Sequence, residues 1–192
     1  QTAQTGANAA ALEEIRVTGT RILRKDDSSS SPVVTIGVEQ IEVSGAVTIE
    51  QYLNTLPQFT EGSNSGTISI GGGLGATLNM RALGATRNLV LLDQRRLPVA
   101  NQFGVVDTNI VPTVMIRSVE VLTGGASSVY GSEAISGVAN FQSKEFFEGV
   151  ETTIEYGDTT DGVADFVDVG AVGGATSNDG RARALLAMSY TD

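Results

Sequence analysis

From residue 148 onward the chain is written in strand-length segments that cannot complete a structure by themselves. "EGVETTIEYGD" (148–158), "ADFVDVGAVGGAT" (164–176) and "RARALLAMSYTD" (181–192) are separated by the turn-forming stretches "TTDG" and "SNDG". Apolar and polar residues alternate along them, and in the last segment Arg181 and Arg183 alternate with Ala182 and Ala184 before the pattern turns apolar. The result is a meander with one apolar and one polar face, of the kind that lines a transmembrane barrel. Closing such a barrel takes at least about eight strands. Three leave exposed edges that must pair with something, so the sequence reads as a fragment of a larger structure. No apolar run reaches the roughly 18 residues of a membrane-spanning helix, and spanning strands would leave no such run.

Composition removes several alternatives. The 192 residues suffice for one domain or two small ones. A net charge of -10, from 22 acidic and 12 basic residues, argues against a nucleic-acid surface and against attraction to anionic lipid headgroups. With no cysteine and no histidine, the chain has no disulfide framework, thiolate metal site, imidazole triad or histidine zinc ligand. The start at Gln1 is compatible with a mature exported protein after leader removal, or with an artificial start.

Upstream of the meander the pattern is mixed. Residues 1–11 are small and polar, which predicts a mobile tail. "LEEIRVTGTRI" (12–22) is followed by a linker-like "RKDDSSSSP" (24–32). Tethered in this way, the segment reads either as an edge strand or as an extended peptide for another protein to pick up. "VVTI" (33–36) predicts a strand. "TIEQYLNTLPQF" (48–59) predicts a helix lying on a sheet: Ile49, Tyr52, Leu53 and Leu56 share a face, Thr48 and Gln51 suit a capping box, and Pro57 stops the run. The Gly, Ser, Thr and Asn-rich stretch 61–75 reads as a loop around a short strand, and "NLVLLD" (88–93) as a buried strand followed by a turn at "QRR". "DTNIVPTVMIRSVEVL" (107–122) opens with a helix signal around Pro112 and becomes a strand at Ser118. In "TGGASSVYGSEAISGVANF" (123–141), glycine and alanine predict closely packed backbones, with a strand at 137–143.

No catalytic constellation emerges. Asp93 stands without a metal cluster or a second convincing acid and reads as a turn carboxylate. "SIGGGLGATLN" (69–79) lacks the strand, glycine-opened helix and ribose-binding acid of a dinucleotide site. Neither a cofactor, a metal nor an enzymatic reaction is expected.

The order and spacing of five stretches carry a resemblance. These are "EEIRVTGTRI" (13–22), "TIEQYLNTLPQF" (48–59), "NMRALGATRNLVLLDQRRLP" (79–98), "IRSVEVLTGGASSVYGSEAISGVANF" (116–141) and "FEGVETTIEYG" (147–157). Together they resemble the N-terminal plug domain of TonB-dependent outer-membrane receptors, followed by the first strands of their β-barrel. The resemblance implies an α+β plug, a small mixed sheet with short helices, and antiparallel strands that begin a transmembrane β-barrel of about 22 strands. The domains expected are a flexible segment at 1–31, the plug at 32–147 and barrel strands at 148–192.

What the resemblance implies for sites is specific. Glu13, Glu14, Ile15, Arg16, Val17 and Thr18 look like the TonB box, which a TonB-like inner-membrane protein engages as an added strand. Arg81, Arg117 and Glu120 look like plug–barrel contacts, with Arg117 and Glu120 on opposite faces of one strand. Ser69, Gly71, Gly72, Gly73 and Gly75 form a loop at the extracellular apex where ligand would first touch the plug. The expected partners are the remainder of the barrel, outer-membrane lipid and a small nutrient ligand such as a siderophore, cobalamin or an oligosaccharide. The function implied is energy-coupled uptake across the outer membrane, with the N-terminus periplasmic. A separately expressed plug-like module that binds without transporting is the alternative. Three departures bear on these expectations: Thr123 replaces a second plug arginine, Gly125 replaces a proline, and Gln94 replaces a glycine, which argues against a tight turn at "LDQRR".

Overall fold

The computed structural model describes residues 33–46, 48–60, 75–144, 147–158, 165–177 and 182–191. Its first unit is a five-stranded mixed sheet of β1 (Val33–Gly37), β2 (Asn88–Leu92), β3 (Arg95–Arg96), β4 (Ile116–Thr123) and β5 (Gly137–Ser143), in the order β1-β4-β5-β2-β3. β5 lies at the centre, parallel to β2 and antiparallel to β4. Both faces of this sheet are covered, which explains why β2 reads as the continuous apolar run "LVLL" and not as an alternation. Val90, Val119, Val121, Ala139 and Phe141 pack on one side, while Leu89, Leu91, Leu122 and Val138 pack on the other.

Two helices cover the first side. α2 (Ile49–Thr55) buries Ile49 and Leu53 in that core, with Tyr52 and Leu56 packed at its margin. Complete burial of Leu53 contributes about 1.5–3 kcal/mol. The helix ends because Leu56 precedes Pro57 and adopts extended angles, φ -80° and ψ 142°. The Thr48 half of the expected capping box does not form: Thr48 makes no side-chain cap, and among the described residues its buried Oγ1 has no partner. α1 (Val38–Ser44) was not foreshadowed by the sequence pattern. Only Ile41 of its residues is buried, too little to produce a helical stripe.

The other side is covered by the small-residue stretch, through Ala126, Ala134 and the short α3 (Ser127–Tyr130). Its glycines serve different purposes. A Cβ on Gly137 would stand 2.5 Å from the Leu122 carbonyl oxygen, so close backbone approach is real there. A Cβ on Gly124 would meet nothing within 4 Å, and what requires glycine is its φ of 127°. Close packing as the reason for Gly124 is therefore corrected.

Two further expectations change. The helix signal at residue 107 resolves into two single 3-10 turns, Thr108–Ile110 and Thr113–Met115, and β4 starts at Ile116. The tight turn at "LDQRR" does form, with φ 47° at Asp93 and 66° at Gln94, the left-handed pair of a two-residue hairpin. Tertiary hydrogen bonds hold it: Asp93 N–H donates to Phe141 O (2.9 Å), Gln94 N–H donates to Asn140 Oδ1 (2.9 Å), and the Asp93 carboxylate accepts from Ser143 N–H (2.9 Å) and Oγ–H (2.8 Å). Asp93 is thus a turn carboxylate, as its sequence context suggested.

One buried amide ties the loops to the sheet. Asn88 accepts from Met80 N–H (3.0 Å) and the Ser136 hydroxyl, and donates to Leu78 O (2.5 Å) and Gly84 O (3.3 Å). Asn88→Ala strands several buried groups and is expected to lower stability by about 1–3 kcal/mol, measured by denaturant titration. Gly137→Ala should also destabilise, by about 1–3 kcal/mol, because backbone cannot yield as a side chain can.

The second unit is the antiparallel sheet β6 (Gly149–Asp158), β7 (Asp165–Thr176) and β8 (Arg183–Thr191), in sequential order. The three segments predicted from residue 148 onward are these strands. Their register places Val169 opposite both Ile154 and Tyr190.

Candidate functional site

Pairing register sorts the β6–β8 sheet into two unlike faces. Val150, Thr152, Ile154 and Tyr156 of β6 share a face with Val167 and Val169 of β7 and with Leu186, Met188 and Tyr190 of β8. This face is open: Val150 is 80%, Ile154 75% and Leu186 76% exposed. So large an apolar surface is not left to water in a stable soluble domain. The opposite face carries Glu151, Thr153, Glu155, Asp168 and Ser189 and looks onto the mixed-sheet domain.

The two units meet unevenly. Where the 3-10 turn Thr113–Met115 meets β7, a Cβ on Gly170 would lie 3.2 Å from Val114 Cβ, so glycine allows van der Waals contact between them. Just below, Lys144 Nζ donates to Glu151 Oε1 (2.7 Å) and Oε2 (2.8 Å). On the α1–α2 side the same faces separate around a cavity of about 580 Å³, lined by Glu42, Thr48, Asn109, Thr153, Glu155 and Asp168 among others. Among the described residues no group of three or more acids could hold a metal ion.

The sequence-predicted site residues fall into three groups. Glu13, Glu14, Ile15, Arg16, Val17, Thr18, Ser69, Gly71, Gly72 and Gly73 lie outside the described residues. Gly75 is described and half-buried: a Cβ there would meet the Asp107 carboxylate at 3.0 Å, and that carboxylate also accepts from Ala76 N–H (3.0 Å). Arg81 is exposed, with φ 59°, and among the described residues its side chain has no ion-pair partner. Arg117 is exposed and donates to Gln142 Oε1 (3.1 Å). Glu120 is only 1% exposed and accepts from Asn140 Nδ2 (3.2 Å). The irregularity in β4 between Ile116 and Ser118 breaks the alternation that predicted Arg117 and Glu120 on opposite faces: Arg117 and Ser118 both donate to Gln142, whose side chain shares a face with Asn140. That burial sets Glu120 inside the mixed sheet and not on a surface turned to a surrounding wall.

Tyr130 and Gly131 have a structural part. Arg96 bridges from β3 to the Tyr130 carbonyl and to Glu133, fixing the turn in which Gly131 takes φ 90°. Sequence reasoning missed this clamp, and it also missed the Lys144–Glu151 pair, because nothing in "SKEFFEGVE" (143–151) distinguishes the lysine that turns inward. Replacing Arg117 with alanine should change stability by less than about 0.5 kcal/mol. Asn140→Ala, which leaves the buried Glu120 without this donor, should cost about 1–3 kcal/mol in the same denaturation experiment.

A mixed-sheet domain followed in one chain by strands with an open apolar face defines a class. The chain belongs to the TonB-dependent receptor plug domain family, whose model matches residues 25–138. Among curated relatives, the vitamin B12 transporter BtuB of Vibrio cholerae is 32% identical over 147 residues, covering 76% of this chain and 23% of the relative. The chain thus spans under a quarter of that relative's length. Among solved structures, the siderophore receptor PirA from Acinetobacter baumannii superposes with a TM-score of 0.63 at 23% identity, covering 83% of this chain and 24% of that one. The alcaligin outer membrane receptor FauA from Bordetella pertussis gives 0.63 at 19% identity, covering 93% and 29%. Both share the fold.

Proposed function

We propose that this chain is the plug and the first three barrel strands of an energy-coupled outer-membrane receptor for a small nutrient. The observation that carries the reading is the two-faced β6–β8 sheet, apolar and open outward, polar and turned inward onto the plug. A strand pair that alternates in this way satisfies lipid on one side and a water-containing lumen on the other. The open edges of β6 and β8 would be closed by further strands of a barrel of about 22. The domain boundaries follow as 1–31, 32–147 and 148–192.

In this reading the plug blocks the lumen and performs no reaction. Residues 13–18 present the peptide that a TonB-like inner-membrane protein takes as an added strand, and traction on it displaces the plug. Arg81 and Arg117, the exposed members of the predicted set, face the rest of the barrel. The stretch containing Ser69, Gly71, Gly72, Gly73 and Gly75 faces incoming ligand. The vitamin B12 transporter among its relatives, and the siderophore receptor PirA and alcaligin receptor FauA among structures of the same fold, support a compact nutrient as cargo.

The test uses the full receptor in its outer membrane. Deleting residues 13–18 is expected to abolish energised uptake of cobalamin or a ferric siderophore, whichever the intact receptor carries, while leaving surface binding of that nutrient unchanged. Normal uptake by the deletion variant would sink the assignment.

A further inference from the structure

Among the described residues, the plug packs against β7 along a line of inward positions, and the turn Thr113–Met115 also meets β8. Alternate inward positions of β7 are Gly170, Val172 and Gly174. Val114 seats on Gly170, with a Cβ there 3.2 and 3.3 Å from Val114 Cβ and Cγ1. Val172 is 1% exposed, and its cross-strand neighbour is Glu151. At Gly174 a Cβ would collide with the Phe147 carbonyl, so the connecting backbone lies flat on the strand.

Lys144 joins these points. Its backbone N–H donates to Met115 O (2.9 Å), at the end of the 3-10 turn that carries Val114. The ammonium reaches across to both Glu151 oxygens and stands 5.7 Å from the Phe147 ring centroid. The Lys144 side chain is 17% and that of Glu151 40% exposed, so the pair is half-buried, and its two short N–H···O contacts are directional enough to hold one geometry. Beyond this line, the α1–α2 side faces a cavity.

We propose that Lys144 and Glu151, with Val114 on Gly170, are positioning residues that anchor the β4–β5 half of the plug to the first two barrel strands. This rests on the reading of the chain as a barrel-filling plug. The Lys144–Glu151 contact is local in sequence and the Val114–Gly170 contact is not, and together they seat the plug against one side of the lumen. It supplies an ion pair between plug and wall in a chain where Thr123 occupies the place of a second plug arginine.

The anchor is tested in the full receptor, expressed in outer membranes at matched abundance, by entry of vancomycin, a hydrophilic antibiotic too large for ordinary pores. A receptor deleted for residues 33–144 serves as the open control. Lys144→Glu and Glu151→Lys should each raise vancomycin sensitivity several-fold, towards the open control. The double exchange Lys144→Glu with Glu151→Lys should restore the wild-type value, which a merely misfolded receptor would not do. Gly170→Leu, which pushes Val114 off the wall without touching charge, should also raise sensitivity. Wild-type sensitivity in both single charge variants would overturn the anchor, as would a double exchange that leaks as much as the singles. If the open control itself admits no vancomycin, the barrel-and-plug reading fails instead, and the anchor with it.

Discussion

Burial of β5 on both faces is the constraint from which the rest of the plug follows. A strand covered on two sides must find every backbone partner within the protein, and β5 does so by pairing with β4 on one edge and β2 on the other. Its side chains then divide strictly, Ala139 and Phe141 towards the helices and Val138 towards the small-residue loop. Polar groups on such a strand are tolerated only when paired, which is the part taken by Asn140 between Glu120 and the Gln94 amide. The hairpin turn, the buried glutamate and the central strand therefore form one unit.

The same strand hands the chain over to the β6–β8 sheet. Ser143 at its end holds the Asp93 turn, and Lys144, the next residue, already contacts β6 through Glu151. Lys144 and Phe147 both lie against the β6–β7 pair, and glycines of β7 stand at the points of closest approach. Away from these points the polar faces part around a cavity. A half-buried ion pair contributes little net stability, so the Lys144–Glu151 pair acts more as a register device than as a source of affinity.

Much of this was legible in the residues. The amphipathic pattern of 48–59, the apolar run at 88–92 and the three alternating segments after 148 each became the predicted element, because each signal is local. What failed was local reasoning applied to tertiary effects. Gln94 adopts a left-handed conformation that its own side chain disfavours, because Asn140 receives its amide. Thr48 lacks the capping bond its sequence context suggested. Glu120 was read as an outward contact, and its burial shows only once Asn140 is brought opposite it by strand pairing.

The sequence by itself determined the period of α2, the apolar run of β2, the two faces of strands β6–β8 and the absence of cysteine and histidine chemistry, since these depend only on the order and kind of residues along the chain. Which residues meet was decided by the tertiary structure. Lys144 with Glu151, Val114 on Gly170 and Asn88 among the loops are pairings between elements, and their geometry exists only after the sheets have formed. The physical reason is that a β-strand's pattern states which face a side chain takes, whereas its partner is chosen by register and by the packing of the neighbouring layer.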